Sequence, residues 1–200
     1  MCLPERVSLP MLTRRSFIAT ALASGSAVAL GAAPAAAQQC YFPPQMMPRM
    51  YRLSEPLPPG TITVFPSEYG LYWSLPQGDG MVIRYHVRIA REGLYEAGEY
   101  TIGAKKEWPS WRPTDDMIER NPSEYAQYAD GMPGGPNNPL GARALYLFQP
   151  QRGDTFLRIH GVPNPRTIGR SVSNGCVGMV NSHIVHLYDQ VPMGSRVTLL

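Results

Sequence analysis

Two hundred residues at 22.1 kDa give room for one domain, or one domain and a tail. A composition of 44% hydrophobic and 16% charged residues can build a core, and a net charge of +3 is not that of a nucleic-acid binder. Twenty-one prolines and 19 glycines argue against a helical bundle and for strands joined by turns; Cys2, Cys40 and Cys176 are too few for a disulfide scaffold or a four-cysteine zinc site.

The chain opens on an address. Thr13-Arg14-Arg15-Ser16-Phe17 precedes a modest apolar stretch to about Leu30, interrupted by Ser24, Gly25 and Ser26, and Ala35-Ala36-Ala37 closes it. Paired arginines, a weak apolar segment and an Ala-x-Ala site resemble a bacterial twin-arginine export signal over residues 1–37, cleaved after Ala37. The run is too short and too broken for a stable membrane anchor. Cleavage removes Arg6, Arg14, Arg15, Glu5 and Cys2, so the mature chain is about neutral. Gln39 before Cys40 does not fit a lipidation site. The expected partner in export is the twin-arginine translocase, and the expected destination is the periplasm or cell-wall space.

Residues 38–60 carry Pro43, Pro44, Pro48, Pro56, Pro58 and Pro59 and read as a stiff extended arm. From residue 61 to residue 200 the pattern is that of a mainly β domain. Short β-branched and aromatic runs lie at 61–65, 71–75, 81–89 and 98–102, and again at 142–148, 155–159 and 196–200. In the third run Arg84, His86 and Arg88 alternate with Tyr85, Val87 and Ile89, which puts His86 on the polar face of a half-buried strand. Between residues 105 and 141 regular structure gives way to a long insertion. Thr114 caps a helical turn there, Pro122 opens a second, and a Gly/Pro/Asn run follows. Such an insertion covers a site, and Trp108 and Trp111 could stack a sugar ring or fill the space beneath it. Asn181 is expected to cap a final helix whose Ile184, Leu187 and Val191 share a buried face. His183 and His186 on that helix lack a third ligand, so they read as a solvated face, with His186 partly packed, rather than a metal site.

The chemistry concentrates in two segments. Ile159-His160-Gly161 ends a strand, and Ser173-Asn174-Gly175-Cys176-Val177 follows a turn-rich stretch. An imidazole near a thiol can take its proton, and the thiolate is the reactive form. Amides at Gly175 and Cys176 could face an oxyanion, and the Gly161 carbonyl could fix the His160 tautomer. A buried structural cysteine beside a satisfied histidine is the other reading of the same residue types.

His160-Gly161 followed sixteen positions later by Cys176 in Ser173-x-Gly175-Cys176 resembles the signature of the L,D-transpeptidases, the YkuD-type catalytic domain. Gly98–Gly103, Lys106-Glu107-Trp108-Pro109, Asn138–Gly141 and Thr167-Ile168-Gly169 extend the resemblance over residues 61–200. It implies a β-sandwich-like fold with one or two short helices, and peptidoglycan chemistry that needs neither metal nor cofactor. Cys176 would attack the carbonyl joining the third and fourth residues of a tetrapeptide stem, D-alanine would leave, and an amine would take the acyl group from the thioester. The product is a 3→3 cross-link or a protein attached to peptidoglycan; water as acceptor gives a hydrolase. Carbapenems acylate the cysteine of many relatives. His160 would be base and then acid, with Gly175, Gly161 and Ser173 as support. Asn174, Arg158, Arg166, Arg170 and Trp108 are the candidate substrate contacts.

One position departs from the pattern. The family reads arginine two residues after the cysteine, where this chain has Gly178. Losing that cation is expected to raise the thiol pKa, with Arg158, Arg166 or Arg170 as possible replacements, and Gly178→Arg is expected to speed acylation. A module that keeps the fold and binds peptidoglycan without catalysis is the competing reading.

Overall fold

The computed structural model describes residues 43–200; the export-signal reading, Cys2 and Cys40 lie outside them. Among the described residues the alternation seen in the sequence becomes one ten-stranded sheet. Its strands are β1 (Arg49–Arg52), β2 (Ile62–Phe65), β3 (Gly70–Ser74), β4 (Met81–Ala90), β5 (Gly98–Glu107), β6 (Arg143–Gln149), β7 (Gly153–Val162), β8 (Ser171–Ser173), β9 (Val177–Val180) and β10 (Arg196–Leu199). The order is β1-β4-β3-β2-β10-β5-β6-β7-β9, and β9 pairs back onto β4, so the sheet closes on itself.

The alternation on β4 decides what faces where. Ile83, Tyr85, Val87 and Ile89 are buried, while Arg84, His86 and Arg88 on the opposite face are half-buried. The buried side joins Ile62, Val64, Leu71, Trp73, Leu145, Leu147 and Ile159 in one core. The helix α3 (Asn181–Gln190) lays Ile184 and Leu187 into it, and Val191, just past its end, joins them. Lys105 on β5 closes the C-terminal end of α3, its Nζ donating to the carbonyls of Tyr188 at 2.5 Å and Val191 at 2.7 Å, where a cation also suits the helix dipole.

Three local expectations change. The proline-rich arm contains a proline-free window at residues 49–52, and this window pairs antiparallel with the first half of β4 as an exposed edge strand. Asn181 does not cap α3 but is its first residue; its Oδ1 accepts from the backbone N–H of Ala142 at 2.9 Å, a tertiary bond that outcompetes the local cap. His183 and His186 do not share a solvated face: His183 is buried, whereas His186 is exposed and hydrogen-bonded to Tyr85 Oη at 2.7 Å.

The insertion is ordered by its own contacts. Trp111 and Met132 form an antiparallel bridge, with N···O distances of 3.0 and 2.7 Å. Between them lie α1 (Asp115–Arg120) and α2 (Pro122–Tyr125). Thr114 caps α1 by accepting from Met117 N at 3.2 Å. Buried Asn138 ties the return to the sheet, donating to Pro133 O and accepting from Leu140 N, both at 2.9 Å.

Candidate active site

Register places the candidate residues side by side. Across the seam of the closed sheet, Arg88 on β4 pairs with Gly178 on β9, Gly178 with His160 on β7, and His160 with Ala144 on β6. Directly paired residues project from the same face, so Arg88, Gly178, His160 and Ala144 form one row. Arg158, paired with Tyr146, lies on the same face two residues along.

Cys176 reaches this face from the loop between β8 and β9. Ser173 Oγ donates to the Cys176 carbonyl at 2.5 Å and tightens the loop. Gly175 has φ +127°, where a side chain would be strained and would press on Leu157 at 3.1 Å. The half-buried Cys176 Sγ donates to the carbonyl of Phe156 at 3.8 Å. That carbonyl is aimed by a bulge in β7, where Phe156 adopts φ +61° and its N–H donates to Asp154 Oδ1 at 2.9 Å.

His160 is 3% exposed, and its Nδ1–H donates to the Gly161 carbonyl at 2.6 Å, which leaves the Nε2 lone pair free to accept. Burial, and then the nearby Arg88 and Arg158 guanidinium groups, push the imidazole down to about 3, with the Gly161 bond acting against them. Burial pushes the Cys176 thiol up; a hydrogen bond from the Arg158 backbone and the charges of Arg158 and Arg88 oppose it. At rest the cleft is therefore lined by a thiol and a neutral imidazole.

Arg158 is held in place. It is 8% exposed, makes a two-bond pair with Asp154 at 2.6 and 2.8 Å, and stacks on Tyr146 with its guanidinium carbon 3.9 Å from the ring centre.

The insertion roofs these groups and encloses a cleft of about 1010 Å³, lined from its side by Trp111, Tyr125, Tyr128 and Met132. Trp111 packs edge-on against Tyr125 and Tyr128. The cover is latched to the loop that carries Cys176. Asn174 Nδ2 donates to Tyr125 Oη at 2.9 Å, while Asn174 Oδ1 accepts from Arg91 at 2.9 Å. Tyr125→Phe removes this latch without changing the ring. It is expected to raise KM for a peptide donor about 5-fold, the equivalent of one hydrogen bond of about 1 kcal/mol. Steady-state kinetics are expected to show kcat little changed.

The structure brings together Cys176, His160, Ser173, Asn174 and Arg158 around one cleft, with Gly175 and Gly161 shaping it. Trp108, Arg166 and Arg170 are not in its lining. Trp108 is 40% exposed at the foot of the insertion, its N–H bonded to Ala142 O, and the tryptophan over the cleft is Trp111. Arg166 and Arg170 are exposed on the turn between β7 and β8. Arg88, Phe156 and Tyr125 belong to the site and carry no motif of their own; only the polar face of β4 hinted at the first. Among the described residues no group of three His, Cys, Asp or Glu side chains converges as a metal site.

A closed sheet carries a cysteine on a glycine-bent loop and a buried histidine held by its neighbour's carbonyl at one cleft. The profile of the L,D-transpeptidase catalytic domain, YkuD, matches residues 59–199, and the chain belongs to this family. A putative L,D-transpeptidase from Fuscovulum blasticum is 39% identical over 131 residues, which cover 64% of this chain and 62% of that protein. This chain thus spans less than two thirds of that relative's length. A crystal structure from Brucella melitensis, described as a probable carnitine operon oxidoreductase, is 44% identical, covers 79% of this chain and 96% of its own, and superposes with a TM-score of 0.53. L,D-transpeptidase 3 from Mycobacterium tuberculosis shares the fold at 16% identity and a TM-score of 0.50, over 70% of this chain and 60% of its own.

Proposed function

We propose that this chain is an exported cysteine L,D-transpeptidase acting on peptidoglycan stem peptides in the periplasm or cell-wall space. The tetrapeptide donor lies in the cleft with the carbonyl between its third and fourth residues over Cys176. As Sγ attacks, its proton passes to His160 Nε2 and the Sγ–C bond forms. The amides of Gly175 and Cys176 face the developing oxyanion. The C–N bond then breaks, the departing D-alanine amine takes the proton from His160, and a thioester remains. An acceptor amine attacks the thioester, gives its proton to His160, and the proton returns to the sulfur. The acceptor is the side-chain amine of another stem, giving a 3→3 cross-link, or an amine of a protein. The paired arginines and Ala-x-Ala site of residues 1–37 support delivery by the twin-arginine translocase.

The observation that carries this reading is the bond from His160 Nδ1 to the Gly161 carbonyl, which leaves the Nε2 lone pair to the cleft that Cys176 shares. The test is to incubate the purified protein with a carbapenem and weigh it. A stoichiometric adduct at Cys176, absent in Cys176→Ala, is the expected result. A folded protein that forms no adduct yet binds isolated peptidoglycan assigns the chain to a non-catalytic module instead.

A further inference from the structure

The position that lacks the family's arginine is not empty. A Cβ built on Gly178 would fall on Arg88 Nε and come within 2.7 Å of both Arg88 Cγ and a Val162 methyl. The space that a side chain at 178 would claim is therefore taken by Arg88, which reaches it from the paired residue on β4, across the seam of the sheet. The guanidinium missing from one strand is supplied by its neighbour, and it lines the cleft with Cys176 and His160. This reverses the expectation for Gly178→Arg, since a second arginine there meets the first.

Arg88 is also under-used by the protein. Its Nε is buried with no hydrogen-bond partner, its Nη1 reaches Thr167 Oγ1 only at 3.5 Å, and among the described residues it makes no ion pair. The other guanidinium groups around the cleft are committed: Arg158 to Asp154, Arg112 to Asp115, and Arg91 to Asn174. A partly desolvated cation with open donors costs folding energy that nothing in the chain returns. Its complement is an anion brought into the cleft, and on an acyl-donor peptide that anion is a carboxylate.

We propose that Arg88 is the carboxylate anchor of the cleft, holding the free carboxylate of the leaving D-residue beside the scissile carbonyl, and that residue 178 is glycine to admit it. The proposal rests on the transpeptidase reading above. It makes Arg88 a specificity-determining residue, because the carboxylate lies one residue from the reacting carbon only when the leaving residue ends the stem.

Tetrapeptide donors with a free or an amidated C-terminus test it, with kcat/KM followed by release of the fourth residue. Wild type is expected to favour the free acid by about 10–100-fold, the range for a charge-assisted hydrogen-bonded pair. Arg88→Gln is expected to lower the free-acid rate far more than the amide rate and so to abolish the preference, whatever smaller change both rates share through the charge it removes from beside Cys176 and His160. Arg88→Lys keeps part of the preference, and the double variant Arg88→Gly/Gly178→Arg regains more of it than Arg88→Gln. A wild-type protein indifferent to the terminal charge overturns the proposal even if the variants do not fold. So does an Arg88→Gln protein that slows on both donors equally or keeps its preference. A wild-type protein acylated by neither donor nor a carbapenem takes down the transpeptidase reading, and the proposal with it.

Discussion

Asparagine in place of His160 is expected to slow acylation of Cys176 by about 10²–10⁴-fold, the usual contribution of a positioned general base. The substitution keeps a polar group of similar reach but removes the only imidazole in the cleft lining. Because the thiol is held up by burial and the imidazole is held neutral, little thiolate exists before attack, and the proton must move as the Sγ–C bond forms. The pH dependence follows with a definite sign. The base form of His160 persists on acidification until its depressed pKa of about 3, not that of a free histidine near 6.5. The acid limb of kcat/KM in wild type is therefore expected well below pH 6.5. In His160→Asn that limb disappears, and the residual rate rises with pH as thiolate forms. Stopped-flow carbapenem acylation from pH 4.5 to 9 is expected to show no acid limb within that window in wild type and a rate that climbs with pH in the variant; an acid limb at 6.5 in wild type would mean a solvated ring and a different proton path.

The second large effect is expected at a residue with no side chain. Gly141 has φ +62°, and a Cβ there would lie 2.6 Å from the Gly161 carbonyl carbon and collide with Asn181 Oδ1. The Gly161 carbonyl is the group that holds His160, and Asn181 is the clamp on Ala142. Gly141→Ala combines an unfavourable left-handed backbone, about 1 kcal/mol, with overpacking of about 1–3 kcal/mol. The expected loss is about 2–4 kcal/mol, or roughly 5–15 °C in Tm for a chain of this size. Acylation is expected to slow as well, even at temperatures where the variant is folded, because the displaced carbonyl frees the imidazole. Gly135→Ala is the control. Its backbone is not left-handed and nothing lies within 4 Å of the added carbon, so its Tm is expected to match wild type. Equal melting temperatures for the two variants would show that the backbone behind His160 yields easily.

What could be read from the sequence was what depends on neighbours along the chain. The alternation from Val82 to Ile89 is a local property of a half-buried strand, and it appeared as β4 with its polar side where expected. His160-Gly161 and Ser173–Cys176 were legible for a similar reason: the tautomer bond joins adjacent residues and the loop bond spans three. Arg88 was not, because its meaning depends on β4 meeting β9, ninety positions away, and a missing side chain gives no sign of what fills its space. Arg166 and Arg170 looked closer to Cys176 along the chain, yet the turn that carries them faces solvent. Trp108 and Trp111 were equivalent until the bridge to Met132 set one over the cleft and left the other at its foot. Asn181 had the right chemistry for a helix cap, but a backbone donor thirty-nine residues earlier claims its oxygen.

The sharing of β4 among its neighbours has a consequence for inheritance. Within ten residues this strand pairs with β1 from the proline-rich arm, with β3, with β9 just after Cys176, and with β8 at the start of the loop that carries it. Its fate is therefore tied to segments that lie at opposite ends of the chain. A substitution on β4 is thus felt by partners about ninety positions away. The pair Arg88–Gly178 shows the form this takes: a long side chain on one strand fits because its partner on the other has none.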